Sequence, residues 1–293
     1  MAVALLFPGQ GSQTVGMAKS LYESRKDVRV FFEIAESITG QPLRQLMFEG
    51  PPEALQRTSI TQPALYLHGY AVAYARQIEP QATAGHSLGE FTALAVAGVF
   101  SFEEGLNLVK VRAEAMQEAC DARPGMMAAI IGLPDNLIED LCRQVLEGIV
   151  VPANYNSPGQ LVVSGEVVAV RALISKAKAA GARLVKELPV NGAFHSPLME
   201  PARQKLASAI EKTTFRPPRC PIYPNVTATA ENDPERLKTL LIQQLTAPVR
   251  WTHTLHAMAA AGIDTFCELG PGTVLAGLVK RTLSNATTLS YDC

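Results

Sequence analysis

A chain of 293 residues with a formal net charge of −1 carries no basic footprint for nucleic acid and no charge that would hold it to an anionic membrane. Hydrophobic residues make up 47% and charged residues 18%, enough apolar material for a large buried core, and no apolar run reaches the length of a membrane span. Five cysteines, odd in number and in no C-x-x-C pair, read as the reduced thiols of a cytoplasmic protein, and the N-terminus shows no secretory pattern.

Strand-like runs alternate with longer helical patterns, which predicts an α/β fold. The strand "VALLF" leads into "FPGQGSQTVG" and a helix. Gly9-x-Gly11 meets Thr14 where G-x-G-x-x-G needs a third glycine, and no Gly-Lys-Ser/Thr follows, so both phosphate-loop readings fail. A tight turn with free backbone amides, suited to an oxyanion, is left. "TQPALYLHGYAVAYARQ" reads as an apolar helix in which His68 is packed, and "QATAGHS" as a short strand entering the next helix.

That junction, "AGHSLGEF", has G-x-S-x-G spacing, the pattern of a sharp strand-to-helix turn presenting a nucleophile, Ser87. Ser87-x-x-Glu90 before "FTALAVAG" is equally a capping box, and spacing alone leaves both readings open. The next helix, "SFEEGLNLVKVRAEAMQEACD", opens on a second capping-box pattern, Ser101 and Glu104. On a wheel of roughly 100° per residue, Glu103, Lys110, Glu114 and Asp121 fall within about 40° of one another. Arg112 falls about 180° away, among Leu108, Val109, Ala115 and Met116. A guanidinium on an apolar face must find an anion or several acceptors, so Arg112 is either an ion-pair partner or a receptor for a carboxylate.

Residues 125–194 change rhythm. "MMAAIIGL", "DNLIEDLCRQVL", "VVPANY", "QLVVSGE", "VVAVRALISKAKAAG" and "ARLVKELPV" read in order as βαββαβ, the ferredoxin-like pattern. This predicts a small subdomain set into a larger α/β body made of residues 1–124 and 195–293, with a site in the crevice between them. Of five histidines, His195 in "NGAFHSPLMEP" lies on a loop, with Ser196 and Pro197 as N-cap and N1 of the following helix. His86 adjoins Ser87 and is directed away by the turn, while His253 and His256 have i, i+3 spacing without a third metal ligand. "ELGPGTVLAG" reads as a structural Gly-rich loop.

Taken together, "FPGQGSQ", "TQPAL", "GHSLGEF", "VKVRAEAMQ", "PANYNSPGQLVVSG", "GAFHSPLM", "QLTAPVRW" and "ELGPGTVLAGLVKR" span nearly the whole chain. In that order they resemble the malonyl-CoA:acyl carrier protein transacylases of bacterial fatty-acid synthesis and the related acyltransferase domains of polyketide synthases. The resemblance implies a hydrolase-like α/β body with a central, largely parallel sheet and a ferredoxin-like insertion. It implies Ser87 as acylated nucleophile, His195 as general base and acid, and the backbone carbonyl of Gln244 as the group orienting His195. The N–H groups of Gln10 and Leu88 would form the oxyanion hole, Arg112 would bind the malonyl carboxylate, and Gln62 and Asn154 would line the pocket. Gly192-Ala193-Phe194 before the histidine is close to the "AFH" form of malonyl-selective polyketide acyltransferases.

The implied reaction is ping-pong transfer from malonyl-CoA to the phosphopantetheine thiol of acyl carrier protein, without metal or redox cofactor. Lys176, Lys178, Arg183 and Lys186 are candidates for meeting an acidic carrier, and a monomer is expected. Rival readings are a thioesterase or esterase using the same Ser87–His195 pair, a silent carrier-docking module, the transacylase component of a malonate decarboxylase, and a trans-acting polyketide acyltransferase. Arg112 disfavours the first, and an intact Ser87, His195 and Arg112 the second.

Overall fold

The computed structural model of the chain describes residues 2–293. Eight strands occur in the order β1 (Val3–Phe7), β2 (Ala82–Gly85), β3 (Gly125–Ile131), β4 (Val150–Ser157), β5 (Gln160–Glu166), β6 (Leu184–Glu187), β7 (Thr265–Leu269) and β8 (Thr287–Tyr291), with helices between most of them. They form two sheets. The first has the order β2-β1-β7-β8 and is parallel throughout. The second has the order β4-β5-β3-β6 and is antiparallel throughout, the arrangement expected of βαββαβ.

Strand β1 shows why the first sheet reads as a continuous apolar run. Leu5 and Phe7 enter the core beneath the helices Arg29–Thr39, Thr58–Arg76 and Phe102–Ala122. Ala4 and Leu6 enter the opposite core with Trp251, Leu255 and Leu275. Successive side chains of a strand point to opposite faces, so a sheet covered on both sides needs apolar residues at every position.

The second sheet uses the same alternation differently. Ala128, Ile130, Leu161 and Val163 pack under the helices Asp135–Arg143 and Val167–Ala179. Met127, Ala129 and Val162 point the other way, into the core shared with the first sheet's helices, and line a cleft of about 300 Å³. Register shifts in β4 between Pro152 and Asn154 and between Tyr155 and Ser157 bend that strand at the cleft. There, Val249 exchanges backbone hydrogen bonds with Ala153 and Tyr155, at 2.8 and 2.9 Å, and joins the second sheet to the segment carrying Gln244.

The helix Phe102–Ala122 begins on a formed capping box: Glu104 N–H donates to Ser101 Oγ at 3.1 Å and Ser101 N–H to Glu104 Oε2 at 2.7 Å. Its polar stripe is at the surface, with Glu103, Glu114 and Asp121 exposed and Lys110 half-buried, so Arg112 is carried inward. No helix among the described residues is long and apolar enough to cross a membrane.

Candidate active site

Strand β2 ends in the turn that bears Ser87, whose φ of 54° lies in the left-handed region. A Cβ on Gly85 would lie 1.8 Å from the carbonyl carbon of Gly89, and one on Gly89 would lie 2.0 Å from the carbonyl oxygen of Phe7. The two glycines of G-x-S-x-G are therefore steric requirements of a turn that crosses β1 closely.

The capping-box reading of this turn is corrected. Glu90 N–H donates to the Ser87 carbonyl at 3.1 Å, and no side chain caps the helix Gly89–Val96. The left-handed residue swings Oγ away from the first helical N–H groups and toward the cleft. Glu90, 1% exposed, turns inward instead. Its Oε2 accepts from Asn225 N–H at 2.9 Å and from Gln244 Nε2 at 2.7 Å.

His195 also holds a left-handed φ, 57°, and is buried. Its Nε2 is 2.8 Å from Ser87 Oγ. Its Nδ1 faces two carbonyl oxygens, Gln244 at 3.0 Å and Ala247 at 3.1 Å. Only a protonated Nδ1 satisfies both, so the Nε2 lone pair accepts from the Ser87 hydroxyl. Burial, and then the neighbouring Arg112 cation, push the imidazole down to about 3, which keeps it neutral near pH 7.

Arg112 is 1% exposed. Nη1 donates to Gln62 Oε1 at 2.7 Å, and Nη2 to Ser87 Oγ at 3.1 Å and Gln244 Oε1 at 3.3 Å. Its Nε is buried without an acceptor. The guanidinium lies 5.5 Å from the centre of the Phe91 ring. No carboxylate among the described residues forms a salt bridge with it. Burial lowers its pKa to about 10, still charged at neutral pH. A buried cation served only by neutral oxygens, beside a serine hydroxyl, has the chemistry to receive an anionic group.

The N–H groups of Gln10 and Leu88 donate to no acceptor among the described residues, whereas Ser87 N–H is taken by Asn225 Oδ1 at 2.7 Å. Gln10 and Asn154 line the cleft. Gln62 does not: it is fully buried behind Arg112, with Nε2 3.4 Å from Met116 Sδ. The cleft wall expected of Gln62 is supplied by Arg112 and Met116. His86 turns to Asn156 Oδ1, at 2.8 Å. No group of three or more His, Cys, Asp or Glu side chains among the described residues is placed to hold a metal ion. In "ELGPGTVLAG", the Glu268 carboxylate accepts from the N–H groups of Leu275 and Ala276 at the start of the helix Val274–Thr282, a structural use. Val274, Leu278 and Arg281 of that helix nevertheless reach the cleft. A larger cleft of about 450 Å³, near Tyr70, Tyr74 and Arg219, contains none of the candidate residues.

Residues 4–291 match the acyl transferase domain family. The chain belongs to that family. It is 43% identical over 289 residues to the malonyl CoA-acyl carrier protein transacylase of Escherichia coli (strain K12), covering 97% of this chain and 94% of the relative. The structure of the malonyl CoA-acyl carrier protein transacylase from Coxiella burnetii superposes with a TM-score of 0.97 at 40% identity, over 100% of this chain and 94% of that one. A type II PKS acyl-carrier protein in complex with its malonyl-transacylase gives a TM-score of 0.96 at 39% identity, over 100% of this chain and 96% of that chain.

Within this acyl transferase fold, three polar groups at the Ser87 turn have no counterpart among the sequence-based candidates: Glu90 as a buried acceptor, Asn225, and the side chain of Gln244. Asn225 Nδ2 donates to the Gly85 carbonyl at 2.7 Å, and Gln244 Nε2 to the Ser87 carbonyl at 3.0 Å. Glu90 is the one of the three with a sequence signal, and its spacing from Ser87 imitates a helix cap.

Proposed function

We propose that the protein transfers a malonyl group from malonyl-CoA to the phosphopantetheine thiol of an acyl carrier protein through an ester on Ser87. The observation that carries this reading is Arg112: a buried guanidinium with an unpaired Nε, 3.1 Å from the nucleophile, suits an acyl group ending in a carboxylate. In the first half-reaction, Ser87 Oγ attacks the thioester carbonyl while its proton passes to His195 Nε2. The oxyanion is held by the N–H groups of Leu88 and Gln10, which the free protein leaves available. The tetrahedral intermediate collapses as the C–S bond breaks, and the imidazolium returns its proton to the departing coenzyme A thiol. In the second half-reaction, the carrier thiol gives its proton to His195 and attacks the malonyl-serine ester. Breakage of the C–O bond then regenerates the Ser87 hydroxyl with that proton.

The cycle is written with side chains and amides alone and calls on no metal or redox group. We assign residues 125–194 as the smaller unit and residues 1–124 and 195–293 as the body, and take the chain to act as a cytoplasmic monomer. Arg183, Lys186 and Lys178 are exposed on the smaller unit and offer an acidic carrier a positive face. A second reading, in which the carrier serves polyketide assembly, draws support from the likeness to the type II PKS complex.

The test is intact mass after incubation with malonyl-CoA. A malonyl adduct is expected on the native protein, absent from Ser87→Ala, and discharged by carrier protein faster than by water. An adduct that persists in Ser87→Ala, or discharge by water alone, overturns the transfer reading.

A further inference from the structure

Four groups must be aligned for acyl transfer here: Ser87 Oγ, the free Leu88 N–H, His195 and Arg112. They come from three chain segments, and polar contacts to each segment lead back to one side chain. Glu90 Oε2 accepts from both Asn225 N–H and Gln244 Nε2. Asn225 in turn clamps both sides of the turn, accepting from Ser87 N–H and donating to the Gly85 carbonyl. Gln244 Nε2 reaches the Ser87 carbonyl, its Oε1 accepts from Arg112, and its backbone carbonyl accepts from His195 Nδ1–H.

We propose that Glu90 is the positioning residue of this site, its single acceptor oxygen fixing Asn225 and Gln244 so that nucleophile, base, oxyanion donor and guanidinium stay in register. Glu90 touches no reacting atom and acts through its two partners. Both donors use the same oxygen, which leaves Oε1 free to bear a proton. Burial raises the carboxyl to about 7, opposed by the hydrogen bonds from Asn225 N–H and Gln244 Nε2 and then by the nearby Arg112 cation. Both clamp bonds favour the carboxylate, and a neutral carboxyl or amide oxygen at the same place still accepts them, more weakly. What the geometry asks of Glu90 first is a correctly placed acceptor oxygen, because both donors meet at Oε2.

This inference rests on the acyl-transfer reading and is tested with three variants that separate oxygen, charge and bulk. Glu90→Gln keeps one acceptor oxygen at the same distance along the side chain. Glu90→Asp keeps the charge but withdraws the oxygen by one methylene. Glu90→Met keeps length and removes both oxygens. Malonyl loading is measured per folded molecule, alongside melting temperature, the malonyl-to-acetyl loading ratio and the rate of Ser87 labelling by a fluorophosphonate. Glu90→Gln should load within about three-fold of the native protein, Glu90→Asp about ten-fold slower, and Glu90→Met about a hundred-fold slower, with a reduced malonyl-to-acetyl ratio. Labelling of Ser87 should fall in the same order. A merely structural role lowers the melting temperature and leaves loading per folded molecule unchanged in all three, which overturns the proposal. Loading by Glu90→Asp above that of Glu90→Gln also overturns it, because charge would then be the requirement. If Glu90→Met does not fold, the Gln–Asp order still decides. A native protein that labels with fluorophosphonate but never loads malonyl removes the acyl-transfer reading, and the labelling series then judges Glu90 separately.

Discussion

Ser87 and His195 are 108 residues apart in the chain, meet at 2.8 Å, and both hold left-handed backbone, φ 54° and 57°. Neither is a glycine, so each turn carries a conformational cost that the surrounding hydrogen bonds must offset. The pair lacks a carboxylate behind the imidazole; two backbone carbonyls do the orienting. His195→Ala should slow Ser87 loading by about 10²–10⁴-fold while leaving the melting temperature within a few degrees, as read by stopped-flow loading and calorimetry.

Burial sets the acid limit of His195 first, and the Arg112 cation lowers it further. The cation disfavours a second positive charge on His195, which stays neutral down to about 3. Loading of the native protein should therefore stay flat as pH falls from 7 to 5, where a histidine of ordinary pKa 6.5 would already have been protonated. In Arg112→Met the imidazolium is easier to form, so the folded pKa rises and activity is lost at higher pH. A pH profile of acetyl loading for both proteins measures this; an unmoved acid limb would contradict the coupling.

Arg112→Ala should change selectivity more than folding. The malonyl-to-acetyl loading ratio is expected to fall by about 30-fold or more, the effect of removing the cation facing a buried carboxylate. Parallel single-turnover loading with the two thioesters reads the ratio directly.

Gly89 tests the turn itself. A methyl group there meets the Phe7 carbonyl oxygen at 2.0 Å, and backbone cannot give way as a flexible side chain can. Gly89→Ala should cost at least about 3 kcal/mol of stability in denaturant titration and abolish loading in the fraction that folds.

The formed capping box at Ser101 is the control. Ser101→Ala should cost about 1 kcal/mol, by loss of the bond from Glu104 N–H, with loading per folded molecule unchanged.

Ser101-x-x-Glu104 and Ser87-x-x-Glu90 also show what was legible in the sequence and what was not. The two patterns are identical in spacing, and only the first caps a helix. The difference is the φ of Ser87, in a turn where Gly85 presses on Gly89 and Gly89 on Phe7 of β1, and no local pattern encodes those contacts. The two layers, the βαββαβ order and the inward Arg112 were legible because alternation and helical periodicity record burial. Gln10, Leu88 and the backbone of Gln244 were named through the family resemblance alone; of these, the Gln244 carbonyl lies 3.0 Å from His195 Nδ1. Asn225 and the Gln244 side chain were not reached, because their partners lie 138 and 157 residues away in sequence and an isolated Asn or Gln carries no periodic signal.

The alternation along β3 and β5 has a consequence for how such a protein can change. Ser87, His195, Arg112, Gln62 and Gln244 all stand on elements around the parallel sheet, and the antiparallel sheet adds Met127, Ala129, Val162 and Asn154 to the cleft. The elements around the parallel sheet carry the Ser87–His195 pair and share the cleft wall with the antiparallel sheet through Met116, Val274 and Leu278. Substitutions at Met127, Ala129 or Val162, on the inward faces of β3 and β5, are therefore expected to retune which acyl group fits while leaving the Ser87–His195 contact in place, so new specificity can be gained before catalytic competence is lost.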